Sequence, residues 1–230
     1  MICNGKILGV LGGMGPLATA DFLRLLALKS PAVKDQEHSK IIVFSNSQVP
    51  DRTKGILGVG PSPELFLKKG LETLIEWGAD FLAVPCNTSH YYIDNFESKI
   101  TSRLIHIVKE TLLEARKVSP DGAWLNATLG TMKTELYQNY AKKMGYKLFI
   151  PNEKEQILIN NVICKVKENN LDQSADLYGL VISDLLKKCD SPVVCACTEL
   201  PIAYEKTDLP LSKMISSLES LVNGCLKVLY

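Results

Sequence analysis

Residues 6–16 read Lys-Ile-Leu-Gly-Val-Leu-Gly-Gly-Met-Gly-Pro (KILGVLGGMGP), an apolar run that breaks into glycines and ends in a proline. Lys6 to Leu11 has the length and apolar content of a buried strand. The glycines make a tight turn. Pro16 suits the first position of a helix, where its missing N–H costs nothing, and helical spacing continues to about Lys29. One strand–turn–helix unit opens the chain, and its repetition decides the fold.

The unit recurs. Ile41 to Phe44 reads as a second strand, and Glu64 to Trp77 as a helix with apolar residues at Leu67, Leu71, Leu74 and Ile75, closed by Gly78. Phe81 to Val84 is a third strand running into Pro85 and Cys86, followed by a helix near Tyr91 to Lys99. Later, Trp124 to Leu129, Lys147 to Ile150 and Pro192 to Cys197 read as strands. Helices are predicted over Lys133 to Met144, Glu155 to Lys167 and Ser174 to Lys188, and in the tail from Lys213. Strands alternating with helices imply parallel sheets covered on both faces. Two echoes add symmetry: Leu11-Gly12-Gly13-Met14 matches Leu129-Gly130-Thr131-Met132, and Cys86-Asn87-Thr88 matches Cys197-Thr198-Glu199, in the same order. The expected fold is therefore α/β, with two pseudo-symmetric Rossmann-like lobes and an active site in the cleft between them.

Bulk properties narrow the class. The 230 residues are 46% hydrophobic and 22% charged with a formal net charge of +1, so no surface is marked out for nucleic acid or membrane. The glycines and Pro16 interrupt what would otherwise resemble a signal-peptide core, and no stretch is long and apolar enough to span a bilayer. Seven cysteines without scaffold spacing fit reduced thiols in a cytoplasmic protein.

In parallel sheets, ligands bind beyond the carboxyl ends of the strands. Cys86 and Cys197 sit there, each followed by residues that start helices, whose free N–H groups favour a thiolate and hold a carboxylate. Facing lobes would set the two cysteines on opposite sides of one cleft. Cys195, two residues before Cys197, falls on the same side of its strand and reads as packing. Cys86, His90, Cys195 and Cys197 would offer a zinc-like donor set, but the Cys-x-Cys spacing is poor and no metal is expected. The glycines of 9–15 do not form Gly-x-Gly-x-x-Gly, and the second strand ends in Ser45-Asn46 with no acid for a ribose, so no cofactor is expected either. Arg52, in the loop after the second strand, is suited to grip a carboxylate with two parallel hydrogen bonds.

LGGMGP (11–16), VPDRT (49–53), PSPE (61–64), PCNTSH (85–90), LGTMKT (129–134) and CTELP (197–201) together resemble the aspartate/glutamate racemase family, and most of all its aspartate branch. The resemblance covers nearly the whole chain. It implies an enzyme that interconverts L- and D-aspartate, with glutamate or other amino acids as further substrates, using no cofactor and two bases, Cys86 and Cys197. Arg52 would hold the α-carboxylate; Met14, Asn46 and Thr131 would line the pocket; Asn87, Thr88 and Thr198 would hold the charge that develops. Lys167, with Lys165 as the alternative, would meet the side-chain carboxylate. The implied partner is a small acidic amino acid, with a homodimer as the assembly. The implied lobes are residues 1–100 with 206–230, and residues 101–205. Ala196 stands where the family commonly has glycine, and Ser89 where alanine is more frequent, which bears on substrate preference. A maleate isomerase, a hydantoin racemase or a non-catalytic amino-acid binder are the other readings of the same residues.

Overall fold

The computed structural model describes residues 3–230. The first half runs β1 (Ile7–Gly12), α1 (Pro16–Lys29), β2 (Lys40–Ser45), α2 (Arg52–Ile56), α3 (Glu64–Glu76), β3 (Phe81–Ala83), α4 (His90–Ile93), α5 (Ser98–Thr101), β4 (Leu104–Ile105) and α6 (Ile107–Val118). The second runs β5 (Ala123–Ala127), α7 (Leu129–Lys133), α8 (Leu136–Lys143), β6 (Leu148–Phe149), α9 (Glu153–Lys167), α10 (Leu171–Lys188), β7 (Val193–Ala196), α11 (Leu200–Tyr204), β8 (Met214–Ser216) and α12 (Ser217–Leu229).

Two parallel four-stranded sheets result, ordered β2-β1-β3-β4 and β6-β5-β7-β8. The orders are equivalent strand for strand, so the symmetry read from the echoes is real. In each sheet the order reverses between the first strand and the third, and the cleft residues lie beyond that switch point. Cys86 follows β3 and Cys197 follows β7, the equivalent strands.

The sheets are joined by a common interior. Leu8, Val10 and Ala83 of the first sheet belong to one apolar cluster with Leu125, Ala127 and Val194 of the second, filled in by Phe22, Tyr137, Leu218 and Val222. Two outer clusters back it: Leu67, Leu71 and Leu74 of α3 under the first sheet, and Ile159, Ile163, Val181 and Ile182 of α9 and α10 under the second.

Several expectations need correction. Residues 104–105 complete the first sheet beside β3, and residues 214–216 complete the second beside β7, so these strands fall across the expected lobe boundaries. Both are two or three residues long and were hidden in what reads as loop or helix start. The helix expected over 91–99 is two single-turn pieces. The helix expected over 133–144 begins earlier and breaks at Glu135, whose φ of 52° is left-handed. The preceding strand stops at Ala127 because Thr128 caps α7, accepting from the Thr131 N–H at 3.1 Å. Among the described residues, no helix is long and apolar enough to cross a membrane.

Candidate active site

The turn after β1 brings Met14 to the cleft. Gly13 makes this possible: its φ is +89°, and a Cβ there would lie 2.5 Å from the Asn46 carbonyl carbon. The turn after β2 leads through Asp51, which caps α2 by accepting from the Lys54 N–H at 2.8 Å, and presents Arg52. The Arg52 guanidinium is clamped by carbonyls: Nη1 donates to Val49 at 3.2 Å and Pro50 at 3.1 Å, and Nη2 to Met14 at 3.3 Å. Of its five N–H donors two are left over. One is Nε–H, which is buried and has no partner among the described residues.

From the second lobe, α9 is pinned to the end of β5. Gln156 Nε2 donates to the Ala127 carbonyl at 2.9 Å, and Asn160 Oδ1 accepts from the Leu129 N–H at 3.0 Å. This seating carries Lys167, the last residue of α9, into the cleft. Lys165, two residues earlier, instead bonds Gln173 on the surface.

Met14, Asp51, Arg52, Thr53, Cys86, Asn87, Thr88, Thr128, Lys167, Cys197, Thr198 and Glu199 line one tight chamber of about 20 Å³ between the lobes. It abuts a wider crevice of about 570 Å³ that shares Met14, Asp51, Arg52, Lys167 and Glu199 and adds Leu17, Val49 and Val166. Cys86 and Cys197 are 6% and 5% exposed, so both thiols face the chamber rather than bulk water.

Cys197 Sγ donates to Glu199 Oε2 at 3.0 Å, and Thr198 Oγ1 donates to the same oxygen at 3.2 Å. Burial first, then the neighbouring Glu199 charge, pushes the Cys197 thiol well above the usual cysteine range, and Lys167 only partly offsets this. Burial alone would lower Lys167, but Glu199 and Cys197 beside it outweigh that and hold the ammonium above its ordinary value. Arg52 behaves alike: burial opposes its charge, and the Cys86 sulfur, Asp51 and Glu199 more than restore it. Arg52 and Lys167 thus share the chamber with Asp51, Glu199 and the two cysteine sulfurs. Glu199 Oε1, with no partner among the described residues, lies at the entrance beside Gly15.

Not every expected residue faces this chamber. Asn46 lines a separate groove with Phe44, Leu65 and Phe66, because its backbone packs under Gly13. Thr131 is fully buried one step behind, in a ring of three hydroxyls: Thr88 to Thr128 at 2.9 Å, Thr88 to Thr131 at 3.1 Å and Thr128 to Thr131 at 3.1 Å. Asn87 lines the chamber, yet its side chain is held from behind, Oδ1 by Tyr137 at 2.6 Å and Nδ2 by Ser217 at 2.9 Å. The helices after the cysteines have four and five residues, too short for much of a dipole, so the local turn N–H groups matter more. Cys195 is fully buried against Tyr178 OH at 3.4 Å, with its thiol pushed up to about 12 by burial. Among the described residues no three His, Cys, Asp or Glu converge as a metal site.

The sequence reading passed over Glu199, Thr128 and Asp51 as site residues. Glu199 was visible as the acid following the second cysteine. Thr128 carries the signature of an N-cap at a strand end, which the strand assigned through Leu129 obscured.

Known proteins share the sequence pattern and the fold. A family model described as Asp/Glu/hydantoin racemase matches residues 11–223. The broad specificity amino-acid racemase RacX of Bacillus subtilis (strain 168) is 26% identical over 218 residues, covering 89% of this chain and 91% of RacX. The aspartate racemase of Picrophilus torridus superposes with a TM-score of 0.86 at 27% identity, over 97% of this chain and 94% of its own. Glutamate racemase from Francisella tularensis, at 17% identity and a TM-score of 0.69, shares the fold over 97% of this chain and 81% of its own.

Proposed function

Because the chain belongs to the Asp/Glu/hydantoin racemase family and is an isomerase of the amino-acid racemase kind, we propose that it interconverts L- and D-aspartate without a cofactor, moving the Cα proton between Cys86 and Cys197. The observation that carries the reading is the pair of cysteines at equivalent strand ends, both lining one chamber that also holds Arg52 and Lys167.

The hydrogen bond from Cys197 to Glu199 supports a starting state in which Cys197 holds its proton and acts as the acid. Cys86, as thiolate, takes the α-proton from one face. The electron pair left at Cα delocalises into the substrate carboxylate. Cys197 then delivers its proton to the opposite face, leaving Cys86 as thiol and Cys197 as thiolate, so the reverse reaction uses the same groups with roles exchanged. The two spare donors of Arg52 are suited to the α-carboxylate, where charge grows in the transition state. The Asn87 and Thr88 backbone N–H groups, which have no protein acceptor among the described residues, can share that charge. Lys167 is suited to a side-chain carboxylate. The wider crevice beside it gives room for side chains longer than aspartate's, so glutamate and other amino acids belong in the assay.

Incubating the purified protein with single L-amino acids, without pyridoxal phosphate, and separating enantiomers by chiral chromatography tests the reading. D-aspartate should accumulate toward a racemic mixture. No D-isomer from any amino acid would instead favour a binding protein, and conversion of maleate or a hydantoin a related isomerase. With the proposal go a cytoplasmic location and a homodimer, the latter checked by light scattering.

A further inference from the structure

His90 has no part in the proton transfer above, yet it is fully buried four residues after Cys86. Its Nδ1 lies 3.0 Å from the Cys86 carbonyl oxygen, so Nδ1 carries the proton and donates. Burial, then the neighbouring His106, pushes this imidazole down to about 3, which leaves it neutral and fixed in that tautomer. The His106 ring packs on it at 4.6 Å between centroids. His106 Nε2 in turn lies 2.8 Å from Asp94 Oδ1. All three residues belong to the first sheet's half of the chain.

The group that closes this cluster comes from the other half. Tyr140 on α8 donates from its hydroxyl to Asp94 Oδ2 at 2.9 Å, and its ring lies 4.9 Å from that of His106. One turn earlier on the same helix face, Tyr137 donates to Asn87 Oδ1 at 2.6 Å. Asn87 is the residue next to Cys86. One helix of the second lobe therefore holds the Cys86 turn at two points: directly through Asn87, and through Asp94 and His106 onto the imidazole that grips the Cys86 carbonyl. Cys197 has no contact with either tyrosine among its hydrogen bonds. The hydrogen bonds of α8 thus run to the Cys86 turn, while Tyr137 also lies near the Cys197 sulfur and Thr198 Oγ1 donates to the Pro85 carbonyl at 3.5 Å.

We propose that Tyr137 and Tyr140 on α8, acting through Asn87 and through the Asp94–His106–His90 cluster, are positioning residues that set Cys86 against the substrate and bear on Cys86 more than on Cys197. The idea rests on the two-cysteine reading, but it concerns an arrangement that can be measured without it. Proton transfer depends steeply on placement, so loosening this hold should slow whichever step uses Cys86.

The test uses Tyr137→Phe, Tyr140→Phe and the double variant, which keep the rings and lose only the hydroxyls. Each cysteine's reactivity is read by timed carboxamidomethylation with iodoacetamide and peptide mass spectrometry. The Cys86 rate should change several-fold in the double variant and the Cys197 rate should change clearly less; in Tyr140→Phe alone the Cys197 rate should stay at the wild-type value. Steady-state rates with α-deuterated L- and D-aspartate supply the second reading. The primary isotope effect should rise for the one enantiomer that gives its proton to Cys86, with kcat lowered about tenfold. Unchanged labelling of Cys86, or equal changes at both cysteines, would overturn the proposal, as would an isotope effect that rises equally in both directions. If the wild-type protein racemises nothing, the two-base reading fails, and the labelling pattern alone still decides whether α8 positions Cys86.

Discussion

The ring of hydroxyls formed by Thr88, Thr128 and Thr131 can be tested by one isosteric change, Thr128→Val. Three hydroxyl protons serve three short contacts, so the ring closes with every proton used. Thr128 Oγ1 also accepts from the Thr131 N–H and so caps α7. Valine fills the same volume and removes only the oxygen. The lost cap costs about 1 kcal/mol, and the two lost ring contacts add roughly 1–2 kcal/mol because Thr131 is fully buried. Together this is about 2–3 kcal/mol, or a fall in Tm of roughly 5–10 °C for a chain of this size. Thr131→Val is the control: it breaks two ring contacts but leaves the cap, so its melting point should fall less, by about 1 kcal/mol equivalent. Calorimetry on both variants gives the comparison. Racemisation should drop in Thr128→Val beyond its effect on folding, since Thr88 loses a brace from across the cleft beside Cys86. A Thr128→Val protein that melts at or above the Thr131→Val protein, with wild-type turnover, would refute the reasoning.

Other substitutions probe separate links. Gly13→Ala forces a side chain to φ +89° and onto the Asn46 backbone, so it should destabilise by at least about 2 kcal/mol, seen as a lower denaturant midpoint at unchanged m-value. Lys167→Met should raise the KM for aspartate well above its effect on kcat, whereas Lys165→Met, whose lysine bonds Gln173 on the surface, should leave both near wild type. Glu199→Gln removes the negative charge that opposes a thiolate on Cys197. The thiol should therefore ionise at lower pH, and its alkylation at neutral pH should speed up while racemisation slows.

The pattern of strands and helices carried most of the architecture because both sheets are parallel and covered, which makes β1, β5 and β7 plain apolar runs. The ends of β2, β3 and β7 marked Arg52, Cys86 and Cys197 as candidates by topology. What the pattern could not show was held in short or tertiary features. Strands β4 and β8 are too brief to have a period, and they exist because a neighbouring strand offers its edge. Glu135 breaks a continuous helical pattern through a left-handed backbone that no breaker residue announces. Asn87 looked like a binding side chain, and only the packing of α8 shows it turned onto Tyr137. Asn46 sits at the right strand end, but it lines the groove with Phe44, Leu65 and Phe66 rather than the chamber.

Proton traffic at Cα tests the two-cysteine account most directly. L-aspartate and, separately, D-aspartate are incubated in deuterium oxide with the wild-type protein, Cys86→Ser and Cys197→Ser, and the α-position is followed by NMR together with chiral separation. With the wild type, the first product molecules should carry deuterium at Cα while the remaining substrate keeps its proton, because the group that delivers the proton is not the one that removes it. Both variants should lose racemisation. Product that retains the substrate's own proton, or full racemisation by either variant, would contradict the account.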